Sequence, residues 1–200
     1  MQLADRHDAT VYIDDAHGTG VLGPTGAGTT EHFGIRSPRI ISMGTLSKAY
    51  GCIGGFVATE SYVTTLLRAG CSAYGFTSTL PPDQAAAVLE AMDMVRDEPE
   101  RRARLWENQR YFVARMTDAG LPLAATETPI LPYHVGDERE CATLAAALLE
   151  EGWHVDAITF PAIASGHARL RFIMNANHDV ADIDRMVTAL THLREHAHAH

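Results

Sequence analysis

One lysine stands in this chain of 200 residues: of 16 basic side chains, 15 are arginines, and the remaining one is Lys48. A guanidinium stays protonated at any usable pH, whereas an amine can lose its proton and attack a carbonyl. Lys48 ends Gly44-Thr45-Leu46-Ser47-Lys48, within the glycine-punctuated stretch GTLSKAYGCIGG. Two hydroxyls and exposed backbone amides near a strand end make an anion cradle. The glycine and lysine order is not that of a Walker A loop. Upstream lies Asp14-Asp15-Ala16-His17-Gly18-Thr19-Gly20, directly after the apolar run TVYI. A carboxylate there can form the floor of an open α/β site, although Asp and Gly also serve turns and caps. An amine beside a phosphate cradle, with a carboxylate to meet a pyridine ring, is what pyridoxal 5'-phosphate (PLP) needs. The carboxylate keeps the ring nitrogen protonated, so that the ring accepts electrons. The amine bonds the aldehyde and is later released to act as a base.

Elements must hold these groups in place. TVYID (Thr10–Asp14) and RIISM (Arg39–Met43) read as strands, and IGGFVAT (Ile53–Thr59) as a third. Glu60–Ala69 reads as a helix with Val63, Leu66 and Leu67 on one side and Gly70 as its stop, and Asp83–Val95 as another. Strands alternating with helices predict a largely parallel sheet with its ligands at the carboxyl ends. After RDEPERRARLWENQRYF the composition changes. Pro99 opens a long charged helix on which Leu105, Phe112 and Met116 fall near one stripe. A helix over Asp137–Glu151 has a capping-box start, Asp137 with Glu140, and Gly152 as its stop. WHVDAI and ARLRFIM follow as strands. A last helix from Asp179 carries Ile183, Met186, Val187 and Leu190 on one face. Helix, two strands and helix make a small α+β domain. Met92, Met94, Trp106 and Trp153 read as core, and Tyr74 and Phe76 as packing residues.

Several function classes are excluded. A net charge of −9 argues against a nucleic-acid footprint or a basic membrane-binding surface. No apolar run approaches the roughly 20 residues of a membrane span, and the first residues lack the apolar core of a signal peptide. Cys52, Cys71 and Cys141 show no CxxC pairing, so neither a disulfide framework nor zinc is indicated. A cytoplasmic location is expected. The terminal histidines, His196, His198 and His200, read as a frayed tail.

DDAHGTGVLG, GTLSKAYGCIGG, FTSTLPP and ARLRFIMNANH occur in that order. Together they resemble the α-oxoamine synthases, the acyl-CoA-condensing branch of fold-type-I PLP enzymes, over nearly the whole chain. The resemblance implies an α/β fold-type-I transferase. Residues 1–96 would be the C-terminal part of the PLP-binding large domain, and 97–200 the small C-terminal domain. It implies that Asp14 pairs with the pyridine nitrogen and that His17 contacts the phenolic oxygen and acts as an acid. Thr45 and Ser47 would bind the phosphate, and Lys48 would hold the cofactor covalently. Thr77, rather than Ser78, would reach the phosphate of the neighbouring subunit in a homodimer. An arginine of the late strand would grip the amino-acid carboxylate. Arg171 is the choice over Arg169, but alternate strand residues share a face and periodicity does not separate them.

The match begins in the middle of the family's fold. The implied N-terminal part, with its ring-stacking residue and much of the acyl-CoA surface, is not encoded here, so the single chain is expected to be incomplete. The expected reaction condenses an amino acid with an acyl-CoA, with loss of carbon dioxide in the typical case. An aminotransferase, or a non-catalytic truncated or split-subunit partner, stays open as an alternative.

Overall fold

The computed structural model describes residues 1–197 except Thr79 and Ala125. The terminal His198 and His200 therefore lie outside the described residues. The chain divides into two compact units, Met1–Pro99 and Glu100–His200.

The first unit runs α1 (Gln2–Arg6), β1 (Val11–Asp14), α2 (Thr29–His32), β2 (Ile40–Thr45), β3 (Gly55–Ala58), α3 (Ser61–Gly70), α4 (Ser72–Gly75) and α5 (Pro82–Asp97). Its sheet has the order β1-β2-β3. β1 and β2 are parallel, with Val11 opposite Ile40 and Asp14 opposite Met43. The expectation of a largely parallel sheet fails at β3, which pairs antiparallel with β2 from Thr45–Gly55 to Ser42–Ala58. The link from Thr45 to Gly55 is too short for a parallel crossover, which needs about a dozen residues or more. A return hairpin is the geometry left to it.

This unit buries little. Its buried apolar residues are Ala4, Leu46 and Cys52, and neither α3 nor α5 contains a buried residue. Met92, expected in the core, is 50% exposed, and Phe76, expected to pack, is 92% exposed. Tyr74 is exposed as well, and Met94 is half-buried. An apolar stripe becomes core only when a second layer covers it.

The second unit contains α6 (Pro99–Asp118), β4 (Ile130–Gly136), α7 (Glu138–Glu150), β5 (Asp156–Ile158), β6 (Ala168–Ile173) and α8 (Val180–Ala197). Its sheet, β4-β6-β5, is antiparallel throughout. β4 is a strand that the sequence reading misses, because Pro132 interrupts ILPYHVG. Proline cannot donate to a ladder and is tolerated on an edge strand, which is where β4 lies. Along β6, Ala168, Leu170 and Phe172 point inward. They meet Phe112 and Met116 of α6, Cys141, Leu144 and Leu148 of α7, and the whole expected stripe of α8, Ile183, Met186, Val187 and Leu190. Trp153 is half-buried and packs against this core, and Trp106, expected in it, is half-buried without joining it. The Asp137 carboxylate accepts the Glu140 amide at 2.8 Å, so α7 starts where its cap signal predicts. Asp184 accepts from the Tyr111 hydroxyl at 2.9 Å and from Arg115 at 2.6 Å, tying α8 to α6.

Candidate active site

Parallel pairing of β1 and β2 puts the loops that follow Asp14 and Thr45 at the same edge of the sheet. The ladder runs one residue further, since the Asp15 amide donates to the Met43 carbonyl at 2.8 Å. The two neighbouring aspartates then separate. Asp15 is only 3% exposed, and its carboxylate accepts the Thr29 hydroxyl at 2.5 Å and the Thr29 amide at 2.9 Å. It closes the loop between β1 and α2. Asp14 stays exposed at the strand end, with Oδ1 accepting the Ala16 amide at 3.1 Å. Amides of Gly18 and Thr19 bond back to the Asp15 carbonyl, a turn that leaves His17 exposed on its outside.

The lysine loop is held from within. Leu46 donates its amide to Gly54 at 2.9 Å and accepts the Cys52 amide at 2.7 Å. The side chains of Leu46 and Cys52 are buried beneath it. Thr45 and Ser47 place their hydroxyls 2.8 Å apart, and the Ser47 amide points at the Thr45 oxygen at 3.3 Å. Lys48 is exposed and makes no ion pair among the described residues. Gln84 of α5 accepts the Ile53 amide at 3.3 Å, which fastens the far end of the loop.

Two glycines bring the loops together. Gly20 has φ +81°, and a Cβ there would lie 2.5 Å from the Cβ of Ala49, the residue after Lys48. At Gly44 a Cβ would meet the Phe56 ring at 2.4 Å and the Thr19 hydroxyl at 2.9 Å. The histidine loop thus packs directly on the lysine loop. Asp14, His17, Thr45, Ser47 and Lys48 lie at the carboxyl ends of β1 and β2 and in the two loops that follow them. They offer an amine, a pair of hydroxyls with a backbone amide, a carboxylate and an imidazole. That donor set suits a phosphorylated aldehyde with a ring nitrogen. Asp15, Thr29, Gln84 and the Gly20–Ala49 contact were not singled out from sequence. The Asp-Asp doublet was the signal for Asp15; the others depend on partners distant in the chain.

Thr77 and Ser78 are exposed between α4 and α5. Thr77 does not cap α5, which is entered through Pro81 without a side-chain cap. Arg171 belongs to the second unit. Its Nη2 donates to Asp156 at 2.6 Å, and it lines a cavity of about 290 Å³ together with Phe112, Trp153, Met174 and Met186. Arg169, on the same face of β6, donates to the nearby His167 carbonyl at 3.2 Å and does not line that cavity.

Sheet, paired loops and lysine together define a class. The chain belongs to the family of class I and II aminotransferases, which matches residues 1–190. Within it, the chain is similar to 8-amino-7-oxononanoate synthase of Symbiobacterium thermophilum, with 43% identity over 94% of this chain and 48% of that protein. Among solved structures it matches serine palmitoyltransferase carrying PLP, with 30% identity and a TM-score of 0.90 over 97% of this chain and 49% of that one. It also matches 8-amino-7-oxononanoate synthase of Francisella tularensis, at 26% identity and a TM-score of 0.86, over 98% of this chain and 58% of that one. The fold is therefore that of the fold-type-I PLP transferases. The chain spans about half the length of the curated relatives it matches.

Proposed function

We propose that this chain carries the cofactor-anchoring part of a PLP-dependent acyltransferase of the α-oxoamine synthase type, which condenses an amino acid with an acyl-CoA. The observation that carries the reading is the interlocked loop pair, with the chain's single lysine in one loop and the exposed Asp14 and His17 in the other. Bound at this edge, PLP would supply an electron-accepting ring that stabilises a carbanion at the amino acid's α-carbon. Asp14 would keep a negative charge beside the ring nitrogen and so hold its proton in place. Thr45 and Ser47 would donate hydroxyl hydrogen bonds to the phosphate, joined by the Ser47 amide. His17 would donate to the phenolic oxygen and supply a proton during condensation. The Lys48 amine would anchor the cofactor and, once released, take the α-proton. Arg171 would grip the substrate carboxylate, and Thr77 would reach the phosphate of a second subunit.

Partners are part of the reading. The first unit leaves Tyr12, Phe33, Tyr62, Leu66, Leu89 and Met92 exposed, and large exposed apolar side chains of this kind fit a face that a further layer covers. We assign its covering to the remainder of the family's fold and to a second copy in a homodimer. Among the described residues no helix is long and apolar enough to cross a membrane. The free thiols of Cys52, Cys71 and Cys141 support a reducing compartment, the cytoplasm.

The test is to add PLP, reduce with borohydride and map the modified peptide, first with the chain alone and then with the rest of the fold supplied. Label at Lys48, followed by acyl-CoA-dependent release of CoA, is the expected result. Amino transfer to a keto acid without CoA release would instead establish an aminotransferase. Absence of label in the completed assembly would overturn the reading.

A further inference from the structure

Asp156 and Arg171 sit directly opposite one another in the antiparallel β5–β6 pair, so their side chains share one face of the sheet. Asp156 Oδ2 accepts from Arg171 Nη2 at 2.6 Å, with the two side chains 37% and 38% exposed. Arg171 Nε is buried and has no hydrogen-bond partner among the described residues. The guanidinium is therefore held by one nitrogen and cannot satisfy Nε from solvent. Its Nη1 and the second hydrogen of Nη2 remain as donors. A flexible arginine would have to be ordered at the moment a ligand arrives, whereas this one is already held.

We infer that Asp156 is a positioning residue for the substrate carboxylate: it holds the Arg171 guanidinium by one edge so that the free edge meets the incoming carboxylate. The inference rests on the assignment of Arg171 to that carboxylate. Asp156 touches no reacting atom, and its effect passes through Arg171 alone.

The experiment follows the Arg171 Nε–H resonance in the full chain by ¹H–¹⁵N NMR, assigned by its disappearance in Arg171→Lys. In the wild-type chain this signal is expected to be shifted from those of solvent-exposed arginines and slow to exchange with water. Asp156→Ala should move it into the exposed-arginine region and speed its exchange, while Asp156→Asn, which keeps an acceptor oxygen, should preserve it. Unchanged position and exchange in Asp156→Ala would overturn the positioning role. The same signal is then titrated with acetate as a bare carboxylate probe. Acetate should shift it saturably, and Asp156→Ala should need about tenfold more acetate, as expected for losing one charge-assisted hydrogen bond's worth of order. An Nε–H signal that responds to Asp156→Ala but is blind to acetate would remove Arg171 from the carboxylate, while the hold of Asp156 on Nη2 stood. Sensitivity to acetate that is equal in wild type and Asp156→Ala would leave Arg171 in its role and overturn the inference.

Discussion

The carboxylate of the buried Asp15 takes both the hydroxyl and the backbone amide of the half-buried Thr29, at 2.5 and 2.9 Å. Asp14, one residue earlier, accepts the Ala16 amide and stays exposed. Adjacent strand residues point to opposite faces, so one aspartate of the pair builds the loop and the other is left for a ligand. Asp15→Ala is expected to destabilise the chain by about 1–3 kcal/mol, the cost of leaving buried donors without an acceptor. Asp14→Ala should leave stability within about 0.5 kcal/mol and instead weaken PLP retention. Urea unfolding together with cofactor titration separates the two, and equal destabilisation by both would contradict this division.

Gly20→Ala tests the contact between the two loops. Alanine at φ +81° costs about 1–2 kcal/mol, and its methyl would collide with Ala49. The expected outcome is loss of borohydride labelling at Lys48 with the second unit intact. Labelling at the wild-type level would mean that the lysine loop holds its shape without the histidine loop.

The second unit's core offers a separate reference. Leu170 has no exposed surface and lies among Phe112, Leu148 and Leu190. Leu170→Ala should cost about 2–5 kcal/mol, whereas Ile173→Ala, further along the same strand and exposed, should change little. Both are read from the midpoint of urea unfolding.

Acid should weaken the second unit through His178. Burial holds this imidazole below the ordinary histidine range, with Asp182 pulling weakly the other way. Its Nδ1 accepts the Asn175 amide at 3.3 Å, so the folded form is neutral on that nitrogen. Below about pH 6.5 the unfolded chain takes up the proton more readily than the folded one. Stability is therefore expected to fall as pH drops through that value and to go on falling until the folded-state pKa is reached. His178→Asn should flatten this part of the profile when unfolding is measured at about pH 7.5 and about pH 5.5. An unchanged slope in the variant would assign the acid sensitivity elsewhere.

Local signals carried the chemistry and most of the elements. Lys48 announces itself as the single lysine, Asp137 marks the start of α7 by its cap, and the α8 stripe repeats at helical spacing over Ile183, Met186, Val187 and Leu190. Each of these depends on residues a few positions apart, so the chain order alone determines them. The family, too, is legible in four short motifs. What the sequence left open depends on partners distant in the chain. β3 turns antiparallel because the Thr45–Gly55 link is short, and β4 persists through Pro132 because it lies on an edge. Met92 reads as core and Phe76 as a packing residue, yet both stay exposed, since the sequence tells which side chains are apolar and not whether anything covers them. Asp14 and Asp15 are the same residue type, and local pattern does not tell them apart. The family resemblance pointed to Asp14, and the fold supplies the physical reason by bringing Thr29 back onto Asp15 and leaving Asp14 exposed.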